Sequence, residues 1–354
     1  MTPQAIEHAL RSGGCIQDVR IEAPIAKALT GRAVFRRVVF AKGALSGARL
    51  DEVVFSQCHF EALDLTDASL AKVTFAGCAL PDACFERATL SLCQWSQCEL
   101  GGARFTGATL SRCSLVRCEL KSAHFDRVRA TKLSIAECGL DGFDLSGASI
   151  DHSALLDARL SGVTFGTARL QKVALTGVVA EGLDWTLAVF DHCTFRDARL
   201  HRIDLRHGTL SGCGFAASTL SECDLRAASC AQAGFAHANI QRCSFEGADL
   251  REAIFERAEL TECDFRMARM GKAWLVLAHA RGCQFVTADL EYANLSHAVL
   301  SECDFAGATL AKAKLHGAHY ADATLRGARE VPAKRTDKAR LRGEQRSMAL
   351  EAIR

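Results

Sequence analysis

The sequence predicts an all-β fold, a right-handed β-solenoid with four sides and about 15 turns. Three observations predict it: large apolar residues recur at every fifth position, small residues recur two positions before them, and residues twenty apart resemble each other. The five-residue register runs from Phe35 to Leu325 without an insertion. Repetition of this kind is the signature of a solenoid, so we expect one repeat domain with a short segment at each end.

The two apolar series define the sides of the predicted coil. All but four positions of the large series carry Leu, Phe, Ile, Trp, Met or Tyr, and the exceptions are Ala130, Ala180, Cys230 and Ala280. The small series, from Ala33 to Ala323, is mostly Ala, Cys, Val, Gly or Ser. A period of five fits neither a 3.6-residue helix nor a two-residue strand alternation. It fits a squared coil with one repeat per side, in which both series point inward.

Four such sides complete a turn of twenty residues, and the phenylalanines support this length. One column holds Phe245, Phe265, Phe285 and Phe305, and the opposite column holds Phe195, Phe215, Phe235 and Phe255. Fifteen of the nineteen Phe lie in these two columns, whereas the columns between them are mostly Leu. We therefore expect aromatic rings to stack down two opposite walls of the core, with strands about 4.8 Å apart.

Several repeats resemble those of a known family, the pentapeptide repeat proteins, whose repeat is Ala-Asp/Asn-Leu plus two variable residues. The clearest examples here are Ala248-Asp249-Leu250, Ala288-Asp289-Leu290 and Ala293-Asn294-Leu295. The resemblance covers residues 33–329 and implies a quadrilateral β-helix, in agreement with the coil deduced above. The chain departs from the family in its frequent Cys at the small position and in its frequent Arg or Thr before the large residue. These departures weaken any transfer of a specific function.

The two ends lie outside the regular repeat. Residues 1–32 are predicted to form an N-terminal cap, with a short helix that starts at Thr2 and Pro3. Residues 33–329 form the solenoid, and residues 330–354 form a basic C-terminal tail or helix after a break at Pro332. C-terminal helices mediate dimers in the family, so the resemblance implies a homodimer through this tail as one alternative. A frayed basic tail is the other.

The seventeen cysteines are the residues that come nearest to a chemical motif. Most occupy the small inward position and form ladders, as at Cys58, Cys78, Cys98, Cys118 and Cys138. The alternative is a metal site at Cys93, Cys98, Cys113 and Cys118, but a metal needs its ligands to converge tetrahedrally and parallel ladders keep these side chains apart. Thiols that fill space in the core are the favoured interpretation. The sequence also lacks catalytic motifs, so we expect no enzyme, no cofactor and no metal.

Charge and hydropathy narrow the class of partner. Residues 33–329 hold 34 Asp and Glu against 32 Lys and Arg, so the chain is neither a basic nucleic-acid binder nor an overall acidic mimic of DNA. The longest apolar run, Ala273 to Ala278, is too short to cross a bilayer. With no export signal at the start of the sequence, reduced thiols in a cytosol are the expected state.

A protein partner is therefore the expected ligand, and its candidate binding residues are Ile254, Trp274, Val276 and Leu277. Trp274 precedes a large inward residue and should point outward, with Ile254 one turn away; exposed aromatics are typical interface anchors. The predicted function is a protein-protein interaction scaffold or adaptor. Cysteine-rich, loop-free repeats resemble those associated with bacterial type VI secretion, which implies an accessory role there. The alternative is a DNA-mimicking protein that protects a topoisomerase such as gyrase.

Overall fold

The structure is a computed structural model that describes residues 6, 14–22, 24–25, 28–45, 48–320, 322–329, 336–342 and 344. It divides into two compact units, Met1–Val189 and Phe190–Arg354. Both are built from short parallel strands that wind as a β-solenoid, which has about 14 turns and almost no helix. The predicted all-β solenoid is confirmed.

In the first unit the strands form ladders between residues twenty positions apart. Trp95 pairs with Leu115, and Leu110 pairs with Ala130, each in parallel register. The strands are β1 (Cys15–Gln17), β2 (Arg20–Ile21), β3 (Ala28–Arg36), β4 (Val39–Phe40), β5 (Arg49–Ser56), β6 (His59–Phe60), β7 (Ser69–Ala71), β8 (Thr74–Ala76), β9 (Thr89–Ser91), β10 (Gln94–Ser96), β11 (Thr109–Ser111), β12 (Ser114–Val116), β13 (Arg129–Thr131), β14 (Ser134–Ala136), β15 (Ser149–Asp151), β16 (Ala154–Leu156), β17 (Arg169–Gln171) and β18 (Val179–Glu181). One ladder runs through β1, β3, β5, β8, β10, β12, β14 and β16, a second through β5, β7, β9, β11, β13, β15 and β17, and a third through β2, β4 and β6.

The second unit has one continuous strand ladder on one side of the coil. Its strands pair in chain order and are β20 (Arg199–His201), β21 (Thr219–Ser221), β22 (Asn239–Gln241), β23 (Glu259–Thr261), β24 (His279–Arg281) and β25 (Val299–Ser301), while β19 (Val189–Asp191) contains the boundary between the units. The other sides are held by single parallel bridges at the same spacing of twenty, such as Ile254 to Trp274.

Many corners of the coil are made by one recurring turn that closes on the inward residues. The N–H of Ala108 donates to the carbonyl of Phe105 at 2.8 Å, and Gly107 between them has a φ of 67°, as position three of a type II turn requires. Arg127 takes the same left-handed conformation with a φ of 56°. Such a backbone costs a non-glycine residue about 1 kcal/mol. Here the Arg127 N–H still donates to the next turn, to Ser146 O at 2.9 Å, so the strained corner remains hydrogen-bonded.

The core contains the two series that the sequence places inside. Phe265 is fully buried, and its ring stacks on Phe245 at 5.0 Å and on Phe285 at 4.9 Å, with interplanar angles of 7° and 3°. Rings from opposite walls also meet, because Phe255 contacts Phe265 edge to face at 6.0 Å. The predicted stacking is therefore confirmed, and the coil is narrow enough for the two aromatic walls to touch.

The parallel ladder reaches back to Cys15, although the spacing changes near the start of the chain. Ile16 pairs with Phe35, nineteen residues on, and Ala28 pairs with Arg49, twenty-one residues on. A bulge between Thr30 and Ala33 changes the second of these spacings from twenty-one to twenty, because Ala33 pairs with Val53. The helix predicted from Thr2 lies outside the described residues, apart from position 6.

The C-terminal segment makes a short helix over residues 338–342. Asp337 begins it, because its carboxylate accepts hydrogen bonds from the N–H groups of Ala339 and Arg340 at 2.9 and 3.1 Å. Thr336 lies against the coil, where its hydroxyl accepts from the Gly317 N–H at 3.2 Å. This part of the basic tail therefore docks on the second unit's own last turns.

Candidate partner-binding surface

Trp274 and Ile254 lie next to each other on the outer surface of the second unit. Each immediately precedes a buried residue, Leu275 or Phe255, so the alternation of the strand turns both side chains outward. A parallel bridge joins their backbones, and the Phe255 N–H donates to the Trp274 carbonyl at 2.7 Å. Trp274 is 43% exposed and Ile254 is 42% exposed. The predicted outward position of both side chains is confirmed.

Val276 and Leu277 complete this surface but are half-buried. Leu277 occupies the corner with a φ of 59°, and its N–H donates to Ser296 O at 3.1 Å. A left-handed leucine is unusual in proteins, yet this corner position is left-handed throughout the solenoid, so the strain belongs to the fold. We call Ile254, Trp274, Val276 and Leu277 the Trp274 patch.

Polar side chains flank the Trp274 patch along the preceding corner. An open groove of about 450 Å³ runs there, and its lining includes Arg251, Glu252, Lys272, Glu291 and Tyr292. Lys272 lies 3.8 Å from Glu252, so opposite charges face each other across neighbouring turns. An apolar centre with a charged rim is the usual arrangement of a protein-binding surface.

Tyr292 is a member of this surface that the sequence interpretation missed. It is 48% exposed at a corner with a φ of 61°, and the Lys312 ammonium lies 4.6 Å from its ring centroid. The Lys312 side chain also donates a hydrogen bond to the Tyr292 hydroxyl. The chain has only two Tyr, and an aromatic residue at a corner position was the signal that could have revealed it.

The cysteines behave as buried space-filling side chains. All seventeen are free thiols, and sixteen of them are buried, whereas Cys15 is exposed. The Cys98 sulfur lies 3.3 Å from the carbonyl of Phe75 and 3.4 Å from that of Ser96, so the backbone of the coil accepts its hydrogen. Burial raises the pKa of the Cys230 thiol to about 12, which keeps it protonated at neutral pH.

Thiol titration tests this account of the cysteines. We expect Ellman's reagent to modify one thiol, Cys15, rapidly in the native protein and the remaining sixteen only after denaturation. A Cys15→Ser variant should lack the rapid phase. Rapid modification of several thiols in that variant would show that the ladders are open to solvent.

Two histidines and a glutamate converge where the C-terminal segment docks. The His316 Nε2 atom lies 3.0 Å from a Glu344 carboxylate oxygen, and His297 Nε2 lies 3.3 Å from the same oxygen. The Asp337 N–H donates to the other ring nitrogen of His316, Nδ1, at 3.2 Å. Because Nδ1 accepts, a neutral His316 carries its proton on Nε2, where a metal would need a lone pair. The arrangement therefore fits an anchor for the segment better than a metal site.

Charges on the surface are mostly paired between neighbouring turns. Glu222 pairs with Arg242 at 2.9 Å, and Glu52 pairs with Lys72 at 2.8 Å, each across twenty residues. Asp264 instead pairs with Arg266 on its own turn at 2.7 Å. A protein that mimics DNA needs rows of unpaired carboxylates in place of the phosphate charges. The ion pairs on this surface neutralise these carboxylates instead.

Comparison with known proteins identifies two matching family models. The model described as "Pentapeptide repeat region" matches residues 48–125, and that described as "Pentapeptide repeats (8 copies)" matches residues 168–212, 228–266 and 283–319. Together they match more than half of the chain. Pentapeptide repeat proteins are generally non-catalytic structural or interaction proteins, and no catalytic family was identified.

Among solved structures, the chain is similar to HetL, a pentapeptide repeat protein involved in heterocyst differentiation regulation from the cyanobacterium Nostoc. The identity is 23% and the TM-score 0.34, over 64% of this chain and 88% of HetL. It is also similar to trypsin-treated QnrB1, a plasmid-mediated fluoroquinolone resistance protein, with 16% identity and a TM-score of 0.32 over 72% of this chain and 95% of QnrB1.

A pentapeptide repeat protein of the Arabidopsis thaliana thylakoid lumen is 29% identical, with a TM-score of 0.27 over 28% of this chain and 69% of that one. The comparison with curated proteins gave no match. Within the described part of the chain, no helix has the length and apolar character needed to span a membrane. From the family models and the continuous ladder of five-residue repeats, we conclude that the chain belongs to the pentapeptide repeat family.

Proposed function

We propose that the chain is a non-enzymatic scaffold that binds a protein partner through the Trp274 patch. The observation that carries this proposal is the exposure of Trp274 and Ile254 side by side, with their backbones joined by a parallel bridge. Exposed Trp is enriched among the residues that dominate binding energy. The hydrogen-bonded coil also fixes the backbones of both residues before a partner arrives, which lowers the entropy cost of binding.

The setting of this function is the reducing cytosol of a bacterium. Free thiols along the core support a reducing compartment. The narrower form of the proposal is an adaptor that serves type VI secretion, on the basis of the resemblance to cysteine-rich, loop-free repeats. It predicts that a secretion component or an effector co-purifies with the chain from its own host.

A pair of variants tests the role of the Trp274 patch. Tagged full-length protein, its Ile254→Ser/Trp274→Ser variant and a Met267→Ser control are purified from the native host after crosslinking, and bound proteins are quantified by mass spectrometry. Met267 is a matched control because it is 55% exposed in the same unit but lies on another side of the coil. We expect the double variant to bind its partner about 30-fold more weakly, as the loss of a hot spot of about 2 kcal/mol implies. The control should retain binding. Equal capture of the partner by all three proteins would show that the partner does not bind through the Trp274 patch.

Topoisomerase protection by DNA mimicry is the alternative with less support. Paired acidic residues and the near balance of 34 acidic and 32 basic residues over positions 33–329 argue against it. A gyrase supercoiling assay decides between the two. If micromolar protein neither inhibits gyrase nor protects it from a fluoroquinolone, mimicry is excluded; protection would replace the scaffold proposal.

A further inference from the structure

One side of the first unit carries five exposed cations on four successive turns: Arg112, Arg129, Lys132, Arg169 and Lys172. Strand pairing aligns Arg129 with Ser149 and Ser149 with Arg169, so the two arginines lie in one column. The corner residues Arg112, Lys132 and Lys172 occupy the next column, with φ values of 54°, 56° and 51°. We call these five residues the cationic face.

The cations of this face have no acidic partner. Within residues 48–320, all of which the structure describes, no carboxylate lies within 4.0 Å of any of the five side-chain charges. Asp151 lies among them but pairs with His152 at 2.7 Å. At the neighbouring corner, Asp126 pairs with Arg127 at 3.0 Å. The carboxylates of Asp151 and Asp126 are therefore bound by residues other than the five cations.

This arrangement departs from the charge pairing seen elsewhere on the coil. Like charges on adjacent strands repel and destabilise the sheet, and other columns avoid this by placing opposite charges on neighbouring turns, as Arg117 and Glu137 do. The Arg112 N–H donates to Thr131 O, which places Arg112 and Lys132 on adjacent turns, and no acidic residue lies between them in this column. The repulsion would be relieved by an anionic ligand lying across the turns.

We propose that the cationic face binds a carboxylate-rich segment of a partner protein. The face covers four successive turns, which are separated by three gaps of about 4.8 Å each. Its length is therefore about 14 Å, which equals about four residues of an extended chain. Arginine guanidinium groups bind carboxylates in a bidentate manner. The remaining side chains of the face include the hydroxyls of Thr109, Thr131 and Ser149, which can donate further hydrogen bonds to carboxylates.

A protein segment fits this face better than a nucleic acid. Single-stranded nucleic acids are generally held by large aromatic side chains that stack on bases, and the outward positions from Thr109 to Lys172 on this side hold no Phe, Tyr or Trp. The near balance of charge over the repeat region also provides little long-range attraction for a phosphate polymer. The face lies within the first unit and does not depend on the Trp274 patch, so either proposal can fail alone.

Fluorescence anisotropy with the full-length protein tests the proposal. The probes are a fluorescein-labelled octaglutamate peptide and an equally labelled thymidine octanucleotide, each at low ionic strength and at 0.15 M salt. The Arg129→Glu/Lys132→Glu variant removes the centre of the face. Its matched control is Lys121→Glu/Arg159→Glu, which makes the same charge change at two exposed positions on another side of the same unit. Far-UV circular dichroism confirms that both variants fold.

We expect the wild type to bind octaglutamate, the Arg129/Lys132 variant to bind it at least about tenfold more weakly, and the control to change less than about twofold. Added salt should weaken binding by the wild type. Absence of peptide binding, or equal losses in the two variants, overturns the proposal. Tighter binding of the oligonucleotide than of the peptide also overturns it, because the face would then serve a nucleic acid.

Discussion

Replacing Phe265 by Ala should lower the free energy of unfolding of the second unit by about 3–5 kcal/mol. The ring is fully buried between Phe245 and Phe285, and Phe255 meets it edge to face. Alanine would remove these contacts and leave a cavity in a coil whose hydrogen-bonded turns cannot collapse around it. Equilibrium urea denaturation followed by circular dichroism measures the loss.

Two control variants separate ring stacking from simple burial. Phe265→Leu should cost only roughly 1–2 kcal/mol, since the same column already holds Leu205 and Leu225, both fully buried. Met267→Ala, two residues away but exposed, should change stability by less than about 0.5 kcal/mol. If the loss in Phe265→Ala were as small as in Met267→Ala, the inward position of the ring would be contradicted.

Most of the repeat region could be predicted from the sequence because one physical rule acts at every turn. Phe245 and Phe265 are twenty residues apart, and their rings stack because four identical sides complete a turn. The outward position of Trp274 follows from the same rule, since it precedes the inward Leu275. A register without insertions leaves no freedom to place these residues elsewhere.

The ends could not be predicted in the same way, because their contacts do not obey the repeat. Ile16 pairs with Phe35 at a spacing of nineteen, so a search at twenty does not find the first strand. The contact between His316 and Glu344 joins a repeat to a segment outside it. Such a pairing depends on where the tail folds back, which periodicity does not determine.

The cationic face is a second feature that could not be predicted from the sequence. Its residues Arg112, Lys132 and Lys172 share one column, yet the total charge of the repeat region conceals them because acids elsewhere cancel it. The distances between charged groups in the folded chain are needed to separate cations that have an acidic partner from cations that have none. Arg117, for example, is equally basic in sequence but pairs with Glu137 at 2.9 Å.

The central claim is that every fifth residue points inward and that four repeats complete a turn, and a pair of deletions tests it. Removing residues 246–265 takes out one whole turn, so Phe245 would stack on Phe285 and every later residue would keep its orientation. Removing residues 246–263 instead shifts the later chain by two positions. Arg266 would then take the inward place of Ala248, and burial of an unpaired charge costs several kcal/mol.

The decisive measurement is urea denaturation of the two deletion variants beside the full chain, followed by far-UV circular dichroism. We expect the twenty-residue deletion to keep the β-sheet signal per residue and a cooperative transition, because solenoid stability is a sum over neighbouring turns. The eighteen-residue deletion should lose the folded second unit. Equal behaviour of the two variants, or unfolding of the twenty-residue deletion alone, would contradict a four-sided coil.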